Sequence, residues 1–136
     1  MKKIGIDLDY TITEMPWFFA PLTAALKLAG HEIHIVTYRD REDRAETEAE
    51  LQELKIQYDQ LHLPEDDALP AAWKADVCTR LGLDLMIDDA PEVLAALPAG
   101  IKRLWVCDPE VFDLDVCIKA MQTRQVARES AASLKS

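Results

Sequence analysis

A chain of 136 residues fits one domain with one core, and its 49% hydrophobic and 29% charged content excludes a disordered or fibrous protein. The formal net charge of −10, from 15 basic and 25 acidic residues, makes the average surface repel phosphate backbones and anionic lipid, so neither a nucleic-acid polymer nor a membrane is expected as partner. A phosphate-handling site is still compatible with this charge, because clustered carboxylates attract a divalent cation that reverses the local field.

The chain opens with KIGIDL, Lys3–Leu8, a short apolar run ending in acidic residues, which reads as a buried parallel strand feeding a loop. Asp7 and Asp9 interrupt this run before a secretory core could form, and no run of about 18 apolar residues follows anywhere. Trp17–Ala29 has helical tendency, with Pro21 near its start and Gly30 as the residue past its end. Glu32–Thr37, EIHIVT, is the second strand. Asp40–Leu54, rich in Glu, Arg and Ala, is a surface helix with Asp40 as cap and Leu51 and Leu54 inward.

Asp59–Leu63 reads as a third strand, Pro64–Pro70 as the acidic loop after it, and Ala71–Leu81 as a helix stopped by Gly82. Leu83–Ile87 is a fourth strand running into Asp88, Asp89 and Pro91, where a short helix begins, and Ile101–Val106 is the fifth. This alternation implies right-handed crossovers, hence an α/β fold of three layers with a five-stranded parallel sheet. A single domain spanning 1–136 is expected. Its tail has a partly helical spacing at Leu114, Cys117, Ile118, Met121 and Val126 that fades, so about residues 127–136 should fray. Cys78, Cys107 and Cys117 are odd in number and lack paired spacing, which fits reduced thiols in a cytoplasmic protein.

In such folds the chemistry lies beyond the carboxyl ends of the strands. Those ends carry Asp7 and Asp9, then Thr37, then Asp88 and Asp89, with Lys74 on the helix before the fourth strand. Two carboxylate pairs brought together resist joint ionisation, and a hard cation such as Mg²⁺, which takes oxygen ligands, removes the conflict. His31, His34 and His62 lie away from that edge without ligand spacing, and Arg39 and Arg41 follow Thr37 into the loop, where a charged helix start is the commoner reading and contact with a substrate anion the alternative.

Asp7-Leu8-Asp9-Tyr10-Thr11 resembles the nucleophile motif of the haloacid dehalogenase superfamily of phosphohydrolases. Thr37 in HIVTYRD, Lys74 in AAWKADVCTRLGLD and the acidic pair in MIDDAPE resemble the other three motifs, in order. The resemblance implies a Mg²⁺-dependent phosphatase that hydrolyses a phosphomonoester through an aspartyl-phosphate. It implies Asp7 as nucleophile and metal ligand, and Asp9 as acid/base that ligates through its backbone carbonyl. It further implies Thr37 and Lys74 as phosphate-binding, with Asp89 a direct metal ligand and Asp88 either a ligand or a partner of Lys74. The segment between the second and fourth motifs is most similar to small nucleotidase-like members. Tyr10 stands where Gly is frequent, and the short stretch from Thr11 to His31 leaves the cap absent or vestigial.

An open rim needs contacts from elsewhere, either from a large substrate or from a neighbouring subunit. The negative charge favours a small phosphomonoester with a homo-oligomer. Trp17, Phe18 and Phe19 are too many adjacent rings for one helix face to bury, so at least one is expected near the rim. Two rival readings stand beside the phosphatase: a catalytically idle phosphate-binding or scaffolding member of the same fold, and a receiver-like signalling module, whose residue order fits less well.

Overall fold

The computed structural model describes residues 1–135; Ser136 and the side chains of Leu114, Cys117 and Lys135 lie outside the described residues. The chain divides into two compact units, Met1–Val106 and Cys107–Ser136.

The first unit alternates strand and helix: β1 (Lys3–Ile6), α1 (Pro16–Leu28), β2 (Glu32–Val36), α2 (Arg44–Glu53), β3 (Gln60–His62), α3 (Pro70–Leu81), β4 (Leu85–Asp88), α4 (Pro91–Ala96) and β5 (Lys102–Trp105). All strand pairs are parallel, in the order β3-β2-β1-β4-β5. The sheet is a Rossmann-like α/β layer covered on both faces. The connection from β1 to β2 holds one tight loop and α1, with no inserted cap. Strand order reverses between β1 and β4, and a crevice forms at their carboxyl ends by topology.

Side chains alternate across the sheet with the period of two that a strand dictates. Ile4, Ile6, Ile33, Ile35, Leu61 and Ile87 meet Phe19 of α1 and Leu51 of α2 on one face. Val36 and Met86 meet Trp73, Val77 and Cys78 of α3 and Leu94 of α4 on the other. At Gly5 of β1 a Cβ would stand 2.5 Å from Leu83 Cδ1 and 2.7 Å from Met86 Sδ, so only glycine lets those side chains lie against the strand. Gly82 ends α3 in the left-handed conformation, φ +65°, which a Cβ would disfavour.

Helix α2 begins later than expected. A tight turn at Arg41–Asp43 precedes it and Asp40 makes no side-chain cap, while Leu51 is buried and Leu54 half-buried as the spacing predicted. Of the three aromatics, Phe19 is fully buried, whereas Trp17 and Phe18 are exposed. Cys78 is a buried thiol pushed up to about 12 by burial, and Cys107 is half-buried.

The second unit carries α5, a continuous 22-residue helix over Leu114–Lys135, where fraying of about 127–136 was expected. Asp113 caps it through a hydrogen bond from the Asp115 N–H (2.8 Å), and Ala, Gln, Arg, Glu and Lys supply intrinsic propensity where burial supplies little. Val116, Met121 and Val126 are exposed along it. No helix among the described residues is long and apolar enough to cross a membrane.

Candidate active site and metal centre

Four elements deliver the site. Asp7 follows the last residue of β1, and its N–H still donates to Ile87 O (2.9 Å), which holds the backbone in line with the sheet. Asp88 ends β4, and its backbone carbonyl accepts a hydrogen bond from the Val106 N–H (3.0 Å). Lys74 sits mid-helix on α3, and Thr37 follows β2 with its N–H on His62 O (3.2 Å). All four are nearly or wholly buried: Asp7 4%, Thr37 1%, Lys74 5% and Asp88 0% exposed.

Lys74 Nζ donates to Asp7 Oδ1 at 2.7 Å and to Asp88 Oδ2 at 2.8 Å, so one ammonium bridges the two strand-end carboxylates. Thr11 Oγ1 lies 3.0 Å from Asp7 Oδ2 and 3.3 Å from Asp89 Oδ1, spanning the other side of the cluster. The second oxygen of Asp88 accepts from Ala90 N–H (2.9 Å). Between Asp7 and Thr11 the chain turns sharply, with Tyr10 at φ +61° and its N–H on Thr13 Oγ1 (3.0 Å). A non-glycine residue in that region costs about 1 kcal/mol or more, and the turn is what returns Thr11 to Asp7.

Burial dominates the electrostatics. Loss of water pushes the Asp7 carboxyl up to about 7, against the pull of Lys74 and with the repulsion of Asp88. Asp88 is likewise raised by burial. Burial pulls the Lys74 ammonium down, but Asp7 and Asp88 together outweigh it and hold it above the ordinary lysine value. Three carboxylates, Asp7, Asp88 and Asp89, offer oxygens within 4.8 Å of one another, against a single bridging ammonium. An all-oxygen, net negative set of this kind could hold a hard metal ion.

Thr37 Oγ1 is buried and has no hydrogen-bond partner among the described residues. An unpaired buried hydroxyl costs about 1–3 kcal/mol, and a ligand oxygen at the strand end would satisfy it.

Asp9 is placed differently from its neighbours. Its carboxylate takes a two-pronged contact from Arg39, Nε to Oδ2 at 3.0 Å and Nη2 to Oδ1 at 2.7 Å, and Arg39 Nη1 is in turn fixed by Glu50 Oε2 at 2.6 Å. These bonds, offset in part by burial, raise the Arg39 guanidinium above its ordinary value. Arg39 is therefore committed to Asp9 and Glu50. Asp9 contributes no side-chain oxygen to the three-carboxylate cluster. Thr11 was part of the motif without a role, and its spacing of four from Asp7 was the available signal.

The histidines lie apart from this cluster. His34, 1% exposed, shares a hydrogen bond with His62 (Nδ1 to Nε2, 2.9 Å) and another with Glu32 Oε1 (2.6 Å). Burial, with the nearby His34, drives His62 down to about 4.

Neither a scan against family models nor a search of curated protein sequences returns a match. Among solved structures the chain is similar to a chain of the Pnkp1/Rnl/Hen1 RNA repair complex, with a TM-score of 0.65 at 17% identity, over 78% of this chain and 42% of that one. A second structure of the Pnkp1/Rnl/Hen1 complex gives 0.64 at 18% identity, over 78% and 46%. The chain thus spans less than half the length of these two relatives. A universal stress protein from Archaeoglobus fulgidus gives 0.53 at 12% identity, over 76% and 93%. At these identities the likeness concerns the fold.

Proposed function

We propose that the protein is a Mg²⁺-dependent hydrolase of phosphomonoesters that works through an aspartyl-phosphate, as its motif resemblance to the haloacid dehalogenase superfamily implies. The observation that carries the reading is the buried ammonium of Lys74, bonded at once to Asp7 and Asp88 beside a third carboxylate. Such a cluster is costly unless it serves a ligand that needs both a cation and a fixed anion partner.

Asp7, Asp89 and the Asp9 carbonyl would hold Mg²⁺, with Asp88 either joining them or serving mainly to position Lys74. The ion would supply positive charge that draws in the phosphoryl group and favours the carboxylate form of Asp7. Asp7 then attacks phosphorus, forming a carboxylate–phosphorus bond while the ester P–O bond breaks and its electron pair leaves with the alcohol oxygen. Asp9 gives that oxygen a proton, takes one from the water that attacks the aspartyl-phosphate, and inorganic phosphate leaves. Lys74 and the free Thr37 hydroxyl meet the phosphoryl oxygens. Arg39 orients Asp9 through its two-pronged contact.

The test is release of inorganic phosphate from sugar phosphates, nucleoside monophosphates, phosphoamino peptides and 3′-phosphorylated oligonucleotides, with Mg²⁺ and with EDTA. Turnover of at least one class that EDTA stops is expected. Phosphate binding without turnover of any class would replace the enzyme with an idle phosphate-binding protein.

A further inference from the structure

Of the three clustered carboxylates, Asp89 is the least firmly held through its side chain. Asp7 and Asp88 each accept from Lys74 Nζ, at 2.7 and 2.8 Å. Among the described residues the Asp89 carboxylate meets a single hydrogen-bond partner, Thr11 Oγ1 at 3.3 Å. That hydroxyl has one proton and lies nearer to Asp7, at 3.0 Å, so it donates to one carboxylate at a time. Asp89 also stands past the last residue of β4, where the sheet ladder no longer fixes the chain. What keeps its oxygen within 4.8 Å of those of Asp7 and Asp88 therefore acts through the backbone.

That backbone is pinned from the neighbouring strand. Asp88 and Trp105 are register partners on β4 and β5, so their side chains share one face of the sheet. The end of β5 supplies a donor to each residue of the acidic pair. The Val106 N–H reaches Asp88 O at 3.0 Å, and the Trp105 indole Nε1–H reaches Asp89 O at 3.0 Å. The second bond depends on a bend in the chain. Along β4 the Ile87 carbonyl faces β1, where it accepts from the Asp7 N–H, and the Asp88 carbonyl faces β5; a straight strand would turn Asp89 O back towards β1. Instead Asp88 Oδ1 accepts from the Ala90 N–H at 2.9 Å, an Asx turn, and Asp89 O meets β5 through the indole.

We propose that Trp105 is a positioning residue for the metal centre: its indole N–H holds the Asp89 peptide so that the Asp89 carboxylate stays with Asp7 and takes up Mg²⁺. The inference rests on the Mg²⁺-dependent reading of the site and adds a residue outside the four motifs that suggested it. Tryptophan suits the task. Its ring nitrogen is a donor only, so the bond has one direction, and two side-chain torsions fix the reach of a stiff ring from β5. No main-chain group of Val106 can replace it as donor, because that N–H is already on Asp88 O. Metal-binding carboxylates depend on such outer partners for their orientation, and losing one costs about 10- to 100-fold in metal affinity or activity. The ring is 36% exposed, so what its donor contributes is felt at Asp89 more than in the core.

The test is calorimetric titration of Mg²⁺ into the native protein, Trp105→Phe, Asp89→Ala and the double variant, with Leu104→Ala as control. Trp105→Phe keeps a ring and deletes the donor, and it should weaken Mg²⁺ binding about tenfold. In the Asp89→Ala background the same change should cost less than about twofold, because no carboxylate is left to place. Leu104 is 52% exposed and points to the other face of β5, so its replacement should leave the affinity unchanged. A second readout needs no variant. If the indole bond favours the bound metal, the bound metal favours the bond, so Mg²⁺ should slow hydrogen exchange at the Trp105 indole nitrogen in the native protein. Native affinity in Trp105→Phe, an equal loss in Leu104→Ala, a tenfold loss that persists without Asp89, or indole exchange as fast with Mg²⁺ as without it would each overturn the proposal. Mg²⁺ binding that depends on Trp105, without phosphate release from any ester, would remove the hydrolase reading alone. Phosphate release that EDTA stops, with Mg²⁺ affinity indifferent to Trp105, would remove this proposal alone, and a native protein that binds no Mg²⁺ would remove both.

Discussion

Replacing Lys74 by methionine keeps the length of the side chain and deletes the charge between Asp7 and Asp88. Both carboxylates lose a hydrogen bond of under 3 Å, 2.7 and 2.8 Å respectively, and neither has access to bulk water, with 4% and 0% exposure. Breaking a buried ion pair by removing one partner costs about 3–5 kcal/mol. Part of this is recovered because Asp7, already pushed up to about 7, takes a proton when Lys74 is gone. A net loss of about 3 kcal/mol is expected at pH 8 in EDTA, a fall of about 12 °C in melting temperature for a unit of this size, read by circular dichroism. The sign with pH follows from the raised carboxyls: the folded variant binds more protons than the unfolded chain, so its deficit should shrink as pH falls from 8 towards 5. Adding Asp88→Asn to the variant should restore about half of the loss, since only one stranded charge remains. A loss below about 1 kcal/mol, or a double variant no more stable than the single one, would refute the bridging role of Lys74.

Arg39→Ala should lower kcat by about tenfold or more with a smaller effect on KM, and Arg39→Lys should not restore it, because an ammonium lacks the planar fork that grips both Asp9 oxygens; unchanged kcat in the alanine variant would make the contact a surface ion pair. Asp89→Ala should weaken Mg²⁺ binding more than Asp88→Ala, whose oxygens are taken by Lys74 and Ala90, and a calorimetric titration giving the reverse order would exchange the two roles. His62, held down to about 4 against 6.5 in the unfolded chain, contributes stability that is full above pH 6.5 and lost as pH falls towards 4. His62→Gln should flatten the denaturant midpoint over that window, and an equally steep decline in the variant would assign the loss to other groups.

The parallel sheet was legible because its strands are apolar runs closed by acidic or polar residues, and each ended within two residues of the place its hydrophobicity suggested. The differences lie at the carboxyl ends: β1 stops at Ile6 and β2 at Val36, although the Asp7 and Thr37 N–H groups still donate to Ile87 O and His62 O. The meeting of Asp7, Lys74, Asp88 and Asp89 was likewise readable, because topology alone sends strand ends to one edge. What escaped was the partner of Arg39. A guanidinium two residues past a strand can reach a ligand or another loop, and only the approach of the β1 loop to α2, through Asp9 and Glu50, decides between them. The length of the last helix is less legible for the opposite reason. Its apolar spacing fades after Val126, but a capped run of good helix formers continues to Lys135 without needing a buried stripe. The run of three aromatics could be counted but not apportioned, since residues 100° apart around a helix leave open which ring the core will take; it took Phe19 alone.

The central claim is that Asp7 becomes the phosphorylated residue. Rapid acid quenching of the protein during turnover of its best phosphomonoester in Mg²⁺, followed by mass spectrometry of the peptide containing KIGIDLDY, tests it most directly. The account predicts a phosphoryl adduct on Asp7 that appears within one turnover, disappears when substrate is spent, and is absent, together with phosphate release, in Asp7→Asn. Phosphate release with no adduct at any quench time, or turnover by Asp7→Asn within about tenfold of the native rate, would contradict it.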